Sequence, residues 1–220
     1  MKGYTIPDII WPSSNDFGIP DLLPDVQAQA NELTLPFEKW GDRGRATKMS
    51  GTYHFYTEDY KFENVWRDPL QPVRTGARAL VECNFSTGNG QPLAVSLWDI
   101  YRKRWLSRFW QSCLVRMWAD LYVDHSLREY ALLGIPRGWR AYSTRGLDSD
   151  YTRMFINYET AAEHCGSEPL FLVYGGGQLV ENICLDKGWL WQPENMRIKD
   201  GTYSRRPGLQ LRTMEVYYGC

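Results

Sequence analysis

Long apolar runs are missing from this sequence. No window approaches the roughly 18 apolar residues that a membrane-spanning helix needs. The opening MKGYTIPDIIWPSSNDFGIPD has no apolar core and is broken by prolines, so it does not read as a signal peptide. Histidine is scarce: His54, His125 and His164 are the only three, and none has a partner at metal-ligand spacing. The five cysteines are Cys83, Cys113, Cys165, Cys184 and Cys220. Their number is odd and no pair is spaced C-x-x-C, which argues against a disulfide framework and against structural zinc. No metal and no cofactor is called for. Net charge is −1, from 25 basic and 26 acidic residues, so a polyanionic partner could be met only by a local patch. Neither standard nucleotide loop, G-x-x-x-x-G-K-[ST] or G-x-G-x-x-G, is present. No Ser-His-Asp order, nucleophile elbow or Cys–His pairing can be defended. These absences predict a soluble, cytoplasmic protein with reduced thiols and no membrane partner.

Aromatic side chains, in contrast, are abundant, with 10 Trp, 14 Tyr and 8 Phe in 220 residues. One core rarely absorbs so many, so some are expected at the surface or lining a cleft. Pro7, Pro12, Pro20, Pro24 and Pro36 crowd the first 47 residues. That density blocks long helices and central strands. Residues 1–47 therefore read as an extended arm packed on the body, with one short helix near 26–33. Trp11, Leu22, Leu23, Leu35, Phe37 and Trp40 are the side chains to pin it. Residues 48–220 read as a single α/β domain.

Within that domain strand and helix patterns alternate. Strands are expected at 52–58, 78–86, 114–123, 139–146 and 169–177, and helices at 60–68, 92–113, 126–134, 154–165 and 179–188. The longest helix shows Leu97, Ile100, Tyr101, Trp105 and Phe109 at three- and four-residue steps. Helices between strands supply the crossovers that parallel pairing needs. The class is α/β with consecutive parallel strand–helix units, barrel-like, with a doubly wound parallel sheet as the alternative. Five units are few for a barrel, so the arm and the C-terminal segment would have to complete it.

Both architectures place ligands beyond the carboxyl ends of the strands. Those ends carry Tyr56, Glu58 and Asp59; Asn84 and Ser86; Trp118 and Asp120; Ser143, Arg145 and Gly146; and Tyr174, Gly175, Gly176 and Gly177. Asp120 is a candidate general base or nucleophile, against a plain ion pair with an arginine. His54, flanked by aromatics, is a candidate for orienting a substrate, against a hydrogen-bonded core histidine. The glycine run could admit a base or phosphate at a helix N-terminus, or simply make a tight turn. Arg145 could counter negative charge there, against a surface ion pair. Arg102, Lys103, Arg104 and Arg108, interleaved with Tyr101, Trp105 and Trp110, could meet a nucleic acid, against a solvated helix face. A second basic-aromatic patch, TYSRRPGLQLR, lies at 202–212.

The segments HFYTEDYKFENVWRDP (54–69), LWDIYRKRWLSRFWQ (97–111), WAD (118–120), GIPRG (134–138) and LVYGGG (172–177) together resemble domain-of-unknown-function family 4417, found in bacteria and their phages. The resemblance spans about residues 34–177. The family pattern implies an Asp-Phe-Ser at the end of the second expected strand, where this chain reads CNFSTG, with Asn84 in the aspartate's place. A more distant likeness links LVYGGGQLVENICLDKG to the late glycine-rich unit of the base-exchanging transglycosylase barrels, although their paired aspartates have no clean counterparts here. The resemblance implies a phage or mobile-element protein acting on nucleic acid or nucleotides, with a base-exchange enzyme as one form. Asp120, His54 and Asn84 would then be catalytic. Tyr174, Gly175–Gly177, Arg145, Ser143, Ser86 and Trp118 would hold the substrate. The competing reading is a non-catalytic module that binds DNA or a host protein.

Overall fold

The computed structural model describes residues 9–41, 49–87 and 90–194. Its strands are short and all parallel: β1 (Phe37–Lys39), β2 (Thr52–His54), β3 (Ala79–Val81), β4 (Arg116–Asp120), β5 (Ala141–Arg145), β6 (Leu170–Tyr174) and β7 (Leu190–Gln192). Each pairs with the next in chain order, giving one seven-stranded sheet. A doubly wound sheet reverses its strand order at a switch point. This sheet never does, so the barrel-like architecture holds and the doubly wound alternative falls.

Ring contacts show how far the sheet curls. In a flat sheet β2 and β6 would stand four strand spacings apart, about 19 Å. Instead the rings of His54 on β2 and Tyr174 on β6 have centroids 4.1 Å apart. The sheet is nearly closed, with helices between its strands. The two strands beyond the expected five come from the proline-rich arm (β1) and from the segment after the last helix (β7). Three residues each, they are too short to show a period.

The helices are α1 (Glu63–Arg67), α2 (Leu70–Arg74), α3 (Leu93–Ser112), α4 (Thr152–Cys165) and α5 (Gln178–Lys187). The single helix expected over 60–68 is shorter, because Pro69 drives Asp68 out of helical geometry, to φ −136° and ψ 81°. The helix expected over 126–134 is a 3-10 segment, His125–Tyr130, started by the Asp124 side chain accepting from Ser126 N–H. The helix expected near 26–33 shrinks to a three-residue 3-10 turn, Val26–Ala28.

Two apolar layers flank the strands. Phe37, Val81, Trp118, Ala141, Leu172, Tyr174 and Leu190 pack together with no α-helical side chain among them, and form the barrel interior. Tyr53, Leu80, Met117, Ala119, Tyr142, Phe171 and Val173 alternate with these and pack on helix residues such as Trp105, Leu106, Trp110, Met154 and Val180. The arm closes the amino-terminal end. Ala30 and Leu33 enter the interior cluster, Ala30 N–H bonds to Met117 O, and Gln29 Oε1 accepts from Arg140 N–H just before β5. Of the expected arm anchors, Leu22 and Phe37 are buried, Trp11 and Trp40 pack against the core, and Leu35 is exposed. Among the described residues, the carboxyl-terminal end of the barrel holds a cleft rather than a covering element.

Helix α3 departs most from its pattern. Its buried residues are Ser96, Asp99, Ile100, Lys103, Arg104, Trp105, Leu106, Ser107, Trp110 and Gln111, and more than half of them are polar. Leu97, Tyr101 and Phe109 are only partly buried.

Between α3 and β4, Leu114 turns the chain at φ 62° with its side chain 93% exposed. A left-handed leucine is strained and nothing packs on it. Leu114→Gly is therefore expected to stabilise the fold by about 0.5–1 kcal/mol, read as a higher urea midpoint at unchanged slope.

Candidate functional site

At the carboxyl-terminal end, the main-chain ladder between β3 and β4 stops early. Glu82 N–H bonds to Trp118 O, but Asp120 N–H turns to the Glu82 carboxylate, Oε2, at 2.9 Å. Glu82 in turn pairs with Arg104, whose guanidinium also donates to Leu133 O and Ala131 O. Both Glu82 and Arg104 are fully buried. Where the strands part, Lys103 enters from α3. Its Nζ donates to Asp120 Oδ2 at 2.8 Å and to Asp120 O at 2.9 Å.

Asp120 is the centre of this arrangement. Its Oδ1 accepts from the Tyr56 hydroxyl (2.8 Å) and from Tyr122 N–H (3.0 Å). Its Oδ2 accepts from Lys103 and from Asn84 Nδ2 (3.0 Å). Asn84 spends its other Nδ2 proton on Tyr122 O at 2.9 Å. Because the carboxylate takes the Tyr56 proton, Ser143 Oγ must donate to the Tyr56 oxygen, at 3.1 Å. Burial, and then the charge on Asp120, hold the Tyr56 hydroxyl well above 10, so it stays protonated.

Above this network lies a cleft of about 390 Å³. Its floor includes Tyr56 and Asn84; Ser86, Thr87 and Tyr122 wall it; Lys39, Arg145 and Arg153 bring positive charge to it. Its carboxylates are already engaged. Hydrogen bonds from Lys61 and Thr57 hold Glu58 down at about 2, and those from Ser126 lower Asp124. Glu194 pairs with Arg145 at 3.3 Å, and Arg153 pairs with Asp150 at 3.1 Å. A 390 Å³ cleft at the carboxyl ends of parallel strands has the size and place of a small-molecule site. Among the described residues, His, Cys, Asp and Glu nowhere gather in threes that could hold a metal ion. Among the same residues no helix is long and apolar enough to cross a membrane.

The candidates drawn from the sequence fall at three depths. Asn84, Ser86 and Arg145 line the cleft. Asp120 and Ser143 lie just beneath it, fully buried, and act on the cleft through Tyr56 and Asn84. His54, Trp118 and Tyr174 belong to the buried interior. His54 is stacked on Phe37, with centroids 4.6 Å apart, and its Nδ1 accepts from Tyr56 N–H at 3.3 Å. Burial first, then the charges on Lys39 and Arg145, push its pKa well below 6.5, so the ring is neutral.

The glycine run is occupied by the protein's own carboxylate. Asp148 Oδ1 accepts from Gly177 N–H (2.8 Å) and Val180 N–H (3.2 Å), capping α5 from the β5–α4 loop. A Cβ on Gly177 would stand 2.4 Å from Asp148 Oδ2, and one on Gly176 would meet Val180 at 2.5 Å. Close approach of Asp148 and Val180 is what these glycines permit. None of the three lines the cleft.

The basic cluster on α3 is corrected by burial. Arg104 and Lys103 are turned inward, onto Glu82 and Asp120, where no phosphate chain can reach them. Arg102 pairs with Asp99 and lies 4.0 Å from the Phe85 ring centroid, and Arg108 lies over Trp11. The second basic-aromatic patch, 202–212, is outside the described residues.

A family model described as "Domain of unknown function (DUF4417)" matches residues 11–161. The chain belongs to this family. The match covers β1 to β5 and most of α4, and so contains Tyr56, Glu82, Asn84, Lys103 and Asp120. This DUF4417 chain is also similar to two phage proteins, each named Gene 1 protein. One, from Mycobacterium phage D29, is 36% identical over 143 residues, 63% of this chain and 52% of the relative. The other, from Mycobacterium phage L5, is 37% identical over 105 residues, 46% of this chain and 44% of the relative. The chain thus spans about half the length of the curated relatives it matches. No solved structure matches it. Nothing in these matches supports the likeness to the transglycosylases.

Glu82 is the site residue that the sequence did not single out; Tyr56 was marked only as a strand-end residue, and Lys103 only as a candidate for meeting nucleic acid. Lys103 was visible as part of a basic run, but only its four- and three-residue steps from Asp99 and Ile100 pointed inward.

Removing one member of a buried pair strands the other. Asp120→Asn is expected to cost about 3–5 kcal/mol in denaturant unfolding, and adding Lys103→Met to it should recover most of that loss. Acid sensitivity follows from histidine. His54 and His164 are both held below 6.5, chiefly by burial. The unfolded chain therefore binds protons that the native chain refuses, and stability is lost as pH falls below the unfolded value near 6.5. Between pH 6.5 and 5, His54→Gln should flatten the slope of stability against pH by up to about 1.4 kcal/mol per unit, measured by unfolding across a pH series.

Proposed function

We propose that this phage-type barrel acts on a small, anion-bearing molecule of the nucleotide class, held in the cleft at the carboxyl ends of its strands. One observation carries the reading. Lys39, Arg145 and Arg153 line a polar cleft beside the engaged carboxylates of Glu58, Asp124 and Glu194, and its floor groups, Tyr56 and Asn84, are fixed from below by Asp120. Preorganised polar groups under a charged rim are the usual equipment of a small-molecule site. Asp120, with every lone-pair direction taken by a donor, is a positioning residue here. A free nucleotide is favoured over a strand because Lys103 and Arg104 are spent inside the protein, which removes half of the basic stripe a strand would follow.

Calorimetric titration of nucleoside mono-, di- and triphosphates, inorganic phosphate and a short single-stranded oligonucleotide tests this. Mononucleotides should bind no more weakly than the oligonucleotide. Arg145→Ala with Arg153→Ala should weaken them at least tenfold. Oligonucleotide binding that falls steeply with salt, with no mononucleotide binding, would replace the small substrate with a polymer. No binding of any of them would leave a non-catalytic module.

A further inference from the structure

Asn84 has a fixed direction. Its two amide protons go to Asp120 Oδ2 and to Tyr122 O. Both partners are acceptors only, so a flipped amide would set oxygen against oxygen at each contact. That leaves Oδ1. Nothing among the described residues donates to it, Asn84 lines the cleft, and Oδ1 is not among the buried unpartnered atoms. It therefore meets solvent in the cleft. An aspartate at 84 would set a second carboxylate against Asp120 Oδ2, at the 3.0 Å now spanned by a hydrogen bond. An asparagine delivers one neutral acceptor and no charge.

We infer that Asn84 Oδ1 is a specificity determinant that reads a hydrogen-bond donor on the ligand, an N–H of a base or a sugar hydroxyl, while Arg145 and Arg153 face the ligand's anionic group. The inference rests on the cleft being the ligand site. A ligand without the donor leaves Oδ1 desolvated and unpaired, which costs roughly tenfold to a hundredfold in affinity. Neither Lys103 nor Asp120 touches the ligand; they set the amide that does.

Two measurements test it. The first needs no ligand: hydrogen exchange at the Asn84 side-chain amide, followed by NMR. Two resolved, slowly exchanging Nδ2 protons are expected, and rapid exchange at both overturns the assignment. The second is a panel in which each pair of nucleotides differs by one donor. AMP is set against purine riboside monophosphate, GMP against IMP, and each ribonucleotide against its 2′-deoxy form. At least one pair should differ tenfold or more in Kd, and Asn84→Ala should bring that pair together. The discriminating pair then says whether base or sugar supplies the donor. Equal affinities within every pair, or a difference that survives Asn84→Ala, overturns the inference while leaving nucleotide binding in place. If no nucleotide binds, the proposed function falls and takes the ligand class with it; the exchange result still decides which way the amide faces.

Discussion

The carboxylate of Asp120 and the ammonium of Lys103 are the contact on which the carboxyl-terminal end of this barrel depends. A buried ion pair is costly to assemble, and it persists only if its remaining lone pairs and protons find partners. Here the partners come from the rest of the barrel. Tyr56 follows β2, Asn84 follows β3, and Ser143 on β5 supports Tyr56. Lys103 fastens α3 to the end of β4. One charge pair thus draws side chains from four strand regions and one helix to a single point. The polar groups facing the cleft owe their orientation to it.

The second pair, Arg104 with Glu82, reinforces the first from outside the barrel. Glu82 takes the Asp120 N–H that a neighbouring strand would otherwise bond, so the sheet can open between β3 and β4 without leaving that group bare. That opening admits Lys103. A continuous β3–β4 ladder would shut the ammonium out.

The glycine run looked like a loop made to receive an anion. An anion is there, but it is Asp148 of the same chain, which ties the β5–α4 loop to the start of α5. The physical reading of such a loop was sound: free N–H groups at a helix start attract negative charge. Whether the charge comes from a ligand or from the chain is decided by where a loop 29 residues earlier happens to return. The cleft lies instead over Tyr56 and Asn84.

Much of the fold was legible in the sequence alone. Alternating strand and helix patterns announced parallel units, because the periods of two and 3.6 are written locally. Strand ends then marked Asn84, Ser86, Asp120 and Arg145 as neighbours of one rim. The missing elements, β1 and β7, are three residues long and carry no period to read. The sign of α3 was hidden for a different reason. A lysine and an arginine in a basic run read as a solvated face, since burying either alone is prohibitive. Only the tertiary structure brings Asp120 and Glu82, 17 and 22 residues away, to the same spot and turns that cost into a bond. Hydrophobic periodicity is a property of the chain; the pairing of buried charges belongs to the packed barrel.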